Sequence, residues 1–297
     1  MSDFTPETRN SAIWSGDSRM VANGRANDVV LTKLGMLEIP DLSGIEAVQM
    51  GHVMEPVIGR LAQDKLQVEL TKIEEAITHP KEPWLRSHFD FVGKENGQTI
   101  LVECKNYNQA VRNKFETGNL PPADLAQCIH EATVYGCEKV YLAVLFGGQE
   151  FQLFPVQVTD EMKLELLTKM AEVWARVLTR DPYPPETVEQ AKLLFPTDDG
   201  ASKTASQSVE MACQSLSAIK AQIKALETQE EALQTLITGY MGEKANLVSL
   251  EGKVLATWKS AKGSVKFDSK LFQSSMPDLY EKFKVEVPGS RRFLIKG

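Results

Sequence analysis

Residues 88–105 read HFDFVGKENGQTILVECK, and this stretch decides how the rest of the chain is read. Two short runs rich in apolar and β-branched residues, His88 to Val92 and Thr99 to Cys104, flank Lys94-Glu95-Asn96-Gly97. Asn-Gly supplies the positive-φ positions of a tight two-residue turn, so the segment is read as a β-hairpin. Residues two apart on a strand share a face, which sends Glu103 and Lys105 out together. Pairing across the hairpin brings Asp90 beside them. Two carboxylates and an ammonium thus converge at one edge of a sheet. Carboxylate oxygens are hard ligands suited to Mg2+. Glu55, on an upstream helix, is a third candidate carboxylate, able to hold a second metal or orient its water. A lone Glu-x-Lys is common on exposed strands. Here Ile100-Leu101-Val102 makes the strand mostly buried, where a terminal Glu and Lys are costly without partners.

The flanking sequence predicts what this hairpin packs against. Gly44 to Leu70 has helical apolar spacing through Met54, Val57, Ile58, Leu61 and Leu66, with Pro56 as a boundary or a kink. Pro121-Pro122 opens a helix to about Tyr135. A buried-strand run, KVYLAVLF from Lys139 to Phe146, follows, then Gly147-Gly148, a strand around Phe151 to Val158, and a helix from about Asp160 to Arg180. That order is a mixed α/β fold with a central sheet flanked by helices. PTDDGASKTASQ, residues 196–207, reads as a linker. It separates a domain at 1–195 from an accessory domain at 208–297. In the latter, Ala212, Leu216, Ile219, Ile223, Leu226, Leu233, Ile237 and Tyr240 alternate in steps of four and three, with Glu230 filling one slot. This pattern fits either a seam between chains or a helix packed on its own domain. Asn246 to Ser260, centred on Gly252, reads as a second hairpin, and Ser269 to Lys284 as a closing amphipathic helix.

Across 297 residues, 42% hydrophobic and 25% charged side chains are ordinary globular composition, which excludes disordered and collagen-like chains. A net charge of −7 argues at first against a nucleic-acid binder. The charge is unevenly spread. Residues 1–195 hold 28 acidic and 19 basic side chains, while residues 244–297 hold 5 and 11. The acidic excess lies on the domain expected to bind divalent cations, and the basic C-terminal stretch can contact phosphates. The composition therefore excludes only tight, metal-independent coating of DNA. Cys104, Cys128, Cys137 and Cys213 lack CxxC spacing, so no zinc site, disulfide framework or iron–sulfur cluster is expected. A reduced, cytoplasmic setting is expected, with no membrane span and no secretory signal in MSDFTPETRN. No G-x-x-x-x-G-K-[ST] loop is present, so no motor is expected.

The order Glu55, Asp90, Glu103-x-Lys105 resembles the PD-(D/E)xK nuclease superfamily. More narrowly, it resembles the YqaJ and lambda-exonuclease family of viral recombination nucleases. Over roughly residues 9 to 158, four local matches support this. Arg9…Ile13-Trp14-Ser15-Gly16-Asp17 is similar to the family's opening R…I-x-x-S-[DE], and Gly51-x-x-x-Glu55 to its G-x-x-x-E helix. Ser87-His88-Phe89-Asp90 stands at its S-P-D-G, and Gln127 at its helix glutamine. The resemblance implies a restriction-endonuclease-like core. It also implies a Mg2+-dependent 5′→3′ exonuclease of linear double-stranded DNA, leaving 3′ tails for a single-strand annealing protein. Asp90, Glu103 and the carbonyl of Cys104 would bind Mg2+, two ions per site with Mn2+ able to substitute, and Glu55 would support the second. Lys105 would activate the attacking water and Gln127 would position it. Arg9, Ser15 and Arg19 are the candidates for the 5′-phosphate, because Gly16 falls where the family has serine. A ring-shaped homotrimer is implied as well. Two rival functions are an endonuclease of the same superfamily and a silent DNA-end-binding or recombinase-loading protein. His52, His88 and His130 lie near these motifs, where a lone histidine is more often packed or on the surface. Trp14 reads as a core residue or a wedge against terminal bases.

Overall fold

In the computed structural model of the protein, residues 5–38, 41–115, 119–286 and 289–296 are described. The chain divides into two compact units, Met1–Phe195 and Pro196–Gly297. In chain order the first holds α1 (Pro6–Asn10), α2 (Ser15–Ala22), α3 (Ala26–Lys33), α4 (Glu46–Leu66), β1 (Leu70–Lys72), β2 (Ile77–Thr78), β3 (Arg86–Ser87), β4 (Phe91–Glu95) and β5 (Gln98–Tyr107). A 3-10 segment (Gln109–Phe115) then leads to α5 (Pro122–Tyr135), β6 (Lys139–Phe146), β7 (Glu150–Gln157), α6 (Asp160–Thr179) and α7 (Val188–Leu194).

Five strands form one mixed sheet in the order β1-β4-β5-β6-β7. The turn at Asn96-Gly97 has φ of 51° and 81°, the doubly left-handed geometry of a hairpin connection. It sets β4 antiparallel to β5 with Phe91 opposite Val102. After β5 the chain crosses over through α5, so β6 runs parallel to β5, from Ile100 beside Lys139 to Tyr107 beside Phe146. β7 returns antiparallel through Gly147-Gly148. β6 is flanked on both edges and covered on both faces, so nearly every side chain of KVYLAVLF is buried. Val140, Leu142, Val144 and Phe146 join a core with Val29 and Val30 of α3, Cys128 and Ala132 of α5, and Met170 of α6. Tyr141, Ala143 and Leu145 join a second core with Ile58 and Ala62 of α4. The fold is thus the expected mixed α/β arrangement, a central sheet with helices on both faces.

Several elements differ in extent from the sequence reading. α4 runs unbroken past Pro56. Val57 and Leu61 of its apolar series stay largely exposed while Ile58 and Ala62 take the buried face. The first hairpin strand starts at Phe91, not His88, because Arg86–Ser87 pairs with β2 instead. Asp90 therefore falls one residue before β4. β5 extends to Tyr107 because its pairing with β6 continues that far. α2 and α3 have no counterpart in the sequence reading. Val29, Val30 and Leu31 are all fully buried, and three successive buried residues carry no helical period.

The second unit begins with residues 196–206, which form neither helix nor strand. They are followed by α8 (Gln207–Met241), whose Ser206 side chain accepts from the Val209 N–H. β8 (Asn246–Val248) and β9 (Val254–Thr257) form the expected hairpin around Gly252. The expected closing helix is two, α9 (Ser269–Ser275) and α10 (Pro277–Phe283). Pro277 disfavours helical backbone at the residue before it, and Met276 sits at φ −137°, ψ 61°.

α4 rests on the sheet through one close approach. A Cβ added at Gly59 would overlap the Phe91 ring. Gly59→Leu is therefore expected to destabilise the first unit by about 1–3 kcal/mol, read as a lower urea midpoint at unchanged m-value.

Candidate active site

β5 builds the site. Its residues Ile100 to Val102 are buried, and the strand carries Glu103 (5% exposed) into the interior behind them. Leu101, Glu103, Lys105 and Tyr107 alternate with Ile100, Val102 and Cys104, and the first set faces the core that contains α5. The ladder to β4 ends at Phe91–Val102, so the next β5 residues meet Asp90 rather than a strand. Asp90 Oδ2 accepts a 2.7 Å hydrogen bond from the Cys104 N–H. The Lys105 ammonium lies 2.6 Å from Glu103 Oε1. The sequence reading of Asp90, Glu103 and Lys105 as neighbours thus corresponds to the observed geometry.

α5 covers this edge. Asp124, Gln127 and Glu131, spaced three and four apart, share one helical face. Gln127 Nε2 donates to Glu103 Oε1 (2.5 Å) and to Glu131 Oε1 (2.8 Å), and Gln127 Oε1 accepts from the Arg19 guanidinium of α2 (2.9 Å). Arg19 also pairs with Asp124 at 2.5 Å, and the Tyr107 hydroxyl donates to the same Asp124 oxygen at 2.6 Å. One polar chain therefore runs from Asp124 through Arg19 and Gln127 to Glu103 and Lys105. Tyr107, Asp124 and Glu131 were not singled out from sequence. The Asp124-x-x-Gln127-x-x-x-Glu131 spacing on a helix otherwise rich in apolar residues was the available signal.

Burial and like charge set the electrostatics. Burial, then Glu103, then Glu55 push the Asp90 carboxyl up to about 8, against the Cys104 hydrogen bond. Burial, with Glu103 next, raises the Glu131 carboxyl well above its ordinary range. Burial pulls Lys105 down, but Glu103 outweighs it and the ammonium is held charged. Arg19 behaves likewise, with Tyr107 and Asp124 outweighing burial. Glu55 stands near enough to raise Asp90 and pairs with Lys72 of β1 at 2.9 Å.

Among the described residues no three His, Cys, Asp or Glu side chains converge as metal ligands. Two carboxylates and a backbone carbonyl do share an edge. The N–H and C=O of one strand residue point to the same side, so the Cys104 carbonyl faces the Asp90 edge as its N–H does. Burial and the neighbouring Glu103 raise the cost of ionising Asp90. A hard divalent cation relieves that cost, so the donor set fits Mg2+.

Of the three phosphate-binding candidates, Arg19 alone is brought to this cluster. Among the described residues no hydrogen bond links the Arg9 guanidinium or the Ser15 hydroxyl to it. Arg9 instead uses its carbonyl to accept from Lys33 Nζ (2.7 Å) and Trp14 Nε1 (3.1 Å). Trp14 is buried, stacked on His88 at 5.2 Å and lying under the Arg86 guanidinium, which leaves no ring face for a base. His52 is exposed on α4.

Residues 21–138 match the family model of the YqaJ-like viral recombinase domain, a span that includes Glu55, Asp90, Glu103, Lys105 and Gln127. The uncharacterized protein YqaJ of Bacillus subtilis (strain 168) is 24% identical over 274 residues, 90% of this chain and 84% of that protein. An alignment of that length takes in parts of both units. Among solved structures, the alkaline exonuclease LHK-Exo of Laribacter hongkongensis aligns at 13% identity and a TM-score of 0.46. That alignment covers 58% of this chain and 91% of that one. A phage related exonuclease from Haemophilus somnus 129PT aligns at 10% identity and a TM-score of 0.38, covering 55% and 82%. No helix of the described residues is long and apolar enough to cross a membrane.

His130, between Gln127 and Glu131, ties α5 to α2 and β3. Its Nε2 lies 2.9 Å from the Arg86 carbonyl and therefore donates, leaving Nδ1 to accept from Ser18 Oγ at 2.8 Å. The ring is neutral, and burial lowers its pKa to about 4, with Asp17 opposing and His79 adding to the fall. A base with its folded pKa below its unfolded one keeps this stability above about pH 6.5 and loses it as pH falls toward about 4. Wild type should lose up to about 3 kcal/mol more than His130→Gln over that window. Urea unfolding of both proteins from pH 7 to 4 measures the difference, and parallel slopes would refute it.

Proposed function

We propose that this protein is a Mg2+-dependent 5′→3′ exonuclease of linear double-stranded DNA. In phage-type recombination it would leave 3′ single-stranded tails for an annealing protein. It works in the cytoplasm of a bacterium or phage-infected host, as a ring-shaped homotrimer that encloses its substrate. The observation that carries the proposal is the meeting of Asp90, Glu103, Lys105 and Gln127 at the end of β5, inside the YqaJ-like residues.

Asp90, Glu103 and the Cys104 carbonyl are the residues to hold one Mg2+, with Glu55 supporting a second and Mn2+ able to substitute. When bound, such ions acidify the attacking water and neutralise charge on the phosphate. Lys105 is an ion-paired ammonium, so it serves as a fixed positive charge beside the reacting phosphate and orients the water rather than taking its proton. Gln127 holds Glu103 in place, and its link to Arg19 couples that carboxylate to the phosphate-binding side. Arg19 is held in advance by Asp124 and Tyr107, and its planar fork suits two phosphate oxygens. Without a motor loop, continued movement along DNA comes from enclosure.

A time course on linear duplex labelled at either end, beside a covalently closed circle, tests this. The expected outcome is loss of 5′ label from linear DNA in Mg2+, faster with a 5′-phosphate and absent in EDTA. Lys105→Ala is expected to slow cleavage by roughly 10²–10³-fold with DNA binding retained. Cutting of closed circles would make the protein an endonuclease. End binding without turnover in Mg2+ or Mn2+ would make it a silent binding protein, and full activity of Glu103→Ala would reject the site.

A further inference from the structure

α8 is 35 residues, about 52 Å at 1.5 Å per residue, yet Met241 is its one buried side chain. Along it an apolar position recurs in alternating steps of three and four, beginning at Val209 and ending at Tyr240, with Glu230 filling one slot. Within its own unit this seam is uncovered: Leu226, Leu233 and Tyr240 are 62%, 61% and 81% exposed. An apolar stripe of that length in water, interrupted at Glu230, marks a contact surface.

The seam has a property that names its occupant. Its step pattern reads the same from either end, so a reversed copy places every seam position opposite another. Val209 then meets Tyr240, Ile219 meets Glu230 and Ile223 meets Leu226, with each pair occurring twice about a twofold axis. A shift by one heptad would leave positions at both ends unmatched. The charges follow the same reversal. Lys220 and Lys224 precede the midpoint, and Glu227, Glu230 and Glu231 follow it. In the reversed copy Lys220 flanks Glu227 on both sides of the axis, and Glu230 lies beside Ile219 and Lys220 rather than another carboxylate. A parallel pair has neither advantage. It sets Glu230 against Glu230 in a core layer, where like charges are costly, and leaves Lys220 and Glu227 facing Ser215 and Gln222.

We propose that α8 pairs with α8 of a second copy of this chain, antiparallel and at full overlap. The contact is twofold and joins chains two at a time. A ring of three nuclease units would therefore become a six-chain assembly, and a chain without a ring contact becomes a dimer.

Sedimentation of the full-length protein, with no DNA present, tests the pairing independently of any cleavage. The expected mass is an even multiple of the chain, and Ile223→Asp is expected to halve it. Lys220→Glu should weaken the pairing by roughly three- to tenfold, since both symmetric ion pairs are lost. Adding Glu227→Lys should restore it, because the swapped charges face each other again only in the reversed register. Cys213 is exposed and faces Gln234 of the second copy, so Gln234→Cys should yield a disulfide-linked dimer on mild oxidation. An odd-numbered assembly, or a mass unchanged by Ile223→Asp, would overturn the proposal. So would failure of the charge swap to restore pairing, or cross-linking by Ser208→Cys in place of Gln234→Cys, which marks the parallel register.

Discussion

The structure of the first unit depends on one constraint: Glu103 is carried into the interior by the strand that precedes it. Ile100, Leu101 and Val102 are fully buried, and the next residue on the same strand cannot return to water. An ionised carboxylate there needs partners, because burial of an unpaired charge costs several kcal/mol. Lys105 from the same strand and Gln127 from α5 supply them. Each partner brings a further demand. Gln127 exposes its own carbonyl to Arg19, and Arg19 draws in Asp124 and Tyr107. The polar chain between sheet and helix is the completion of one strand's burial pattern.

That chain also holds more carboxyls than a stable core would choose. Asp90, Glu103 and Glu131 act on one another through low-dielectric surroundings, while Lys105 and Arg19 are the nearby cations. Apolar residues of similar volume would pack there at less cost. An arrangement of like charges held in advance suits the divalent cation and phosphodiester proposed for it, since each would enter as a counterion to groups already in place.

The sheet and the charged edge were legible from sequence because their signals are local. Asn96-Gly97 specifies the hairpin, the alternation of Glu103 and Lys105 specifies a face, and KVYLAVLF specifies a strand covered on both sides. What escaped depends on contacts far apart in the chain. Asp124 sits at the start of α5 and reads as an ordinary helix-opening acid until Arg19, 105 residues earlier, is folded against it. Glu131 looks like a surface residue of α5 and is in fact 1% exposed. Trp14 could be a stacking platform by composition, and only the positions of His88 and Arg86 show both its faces covered. In the second unit, the break at Met276 was written in Pro277, whose effect falls on the residue before it.

Where β4 stops, a side chain continues its work. Asp90 gives its carboxylate to the Cys104 amide at the point where the next strand residue would have offered a backbone carbonyl. The sheet edge is thus closed by a group that also belongs to the buried carboxylate cluster. Folding and the proposed chemistry are therefore linked at Asp90, because removing its carboxylate leaves a strand amide without an acceptor as well as removing a charge. At Lys105 the two are separable, since its ammonium holds no backbone group in place.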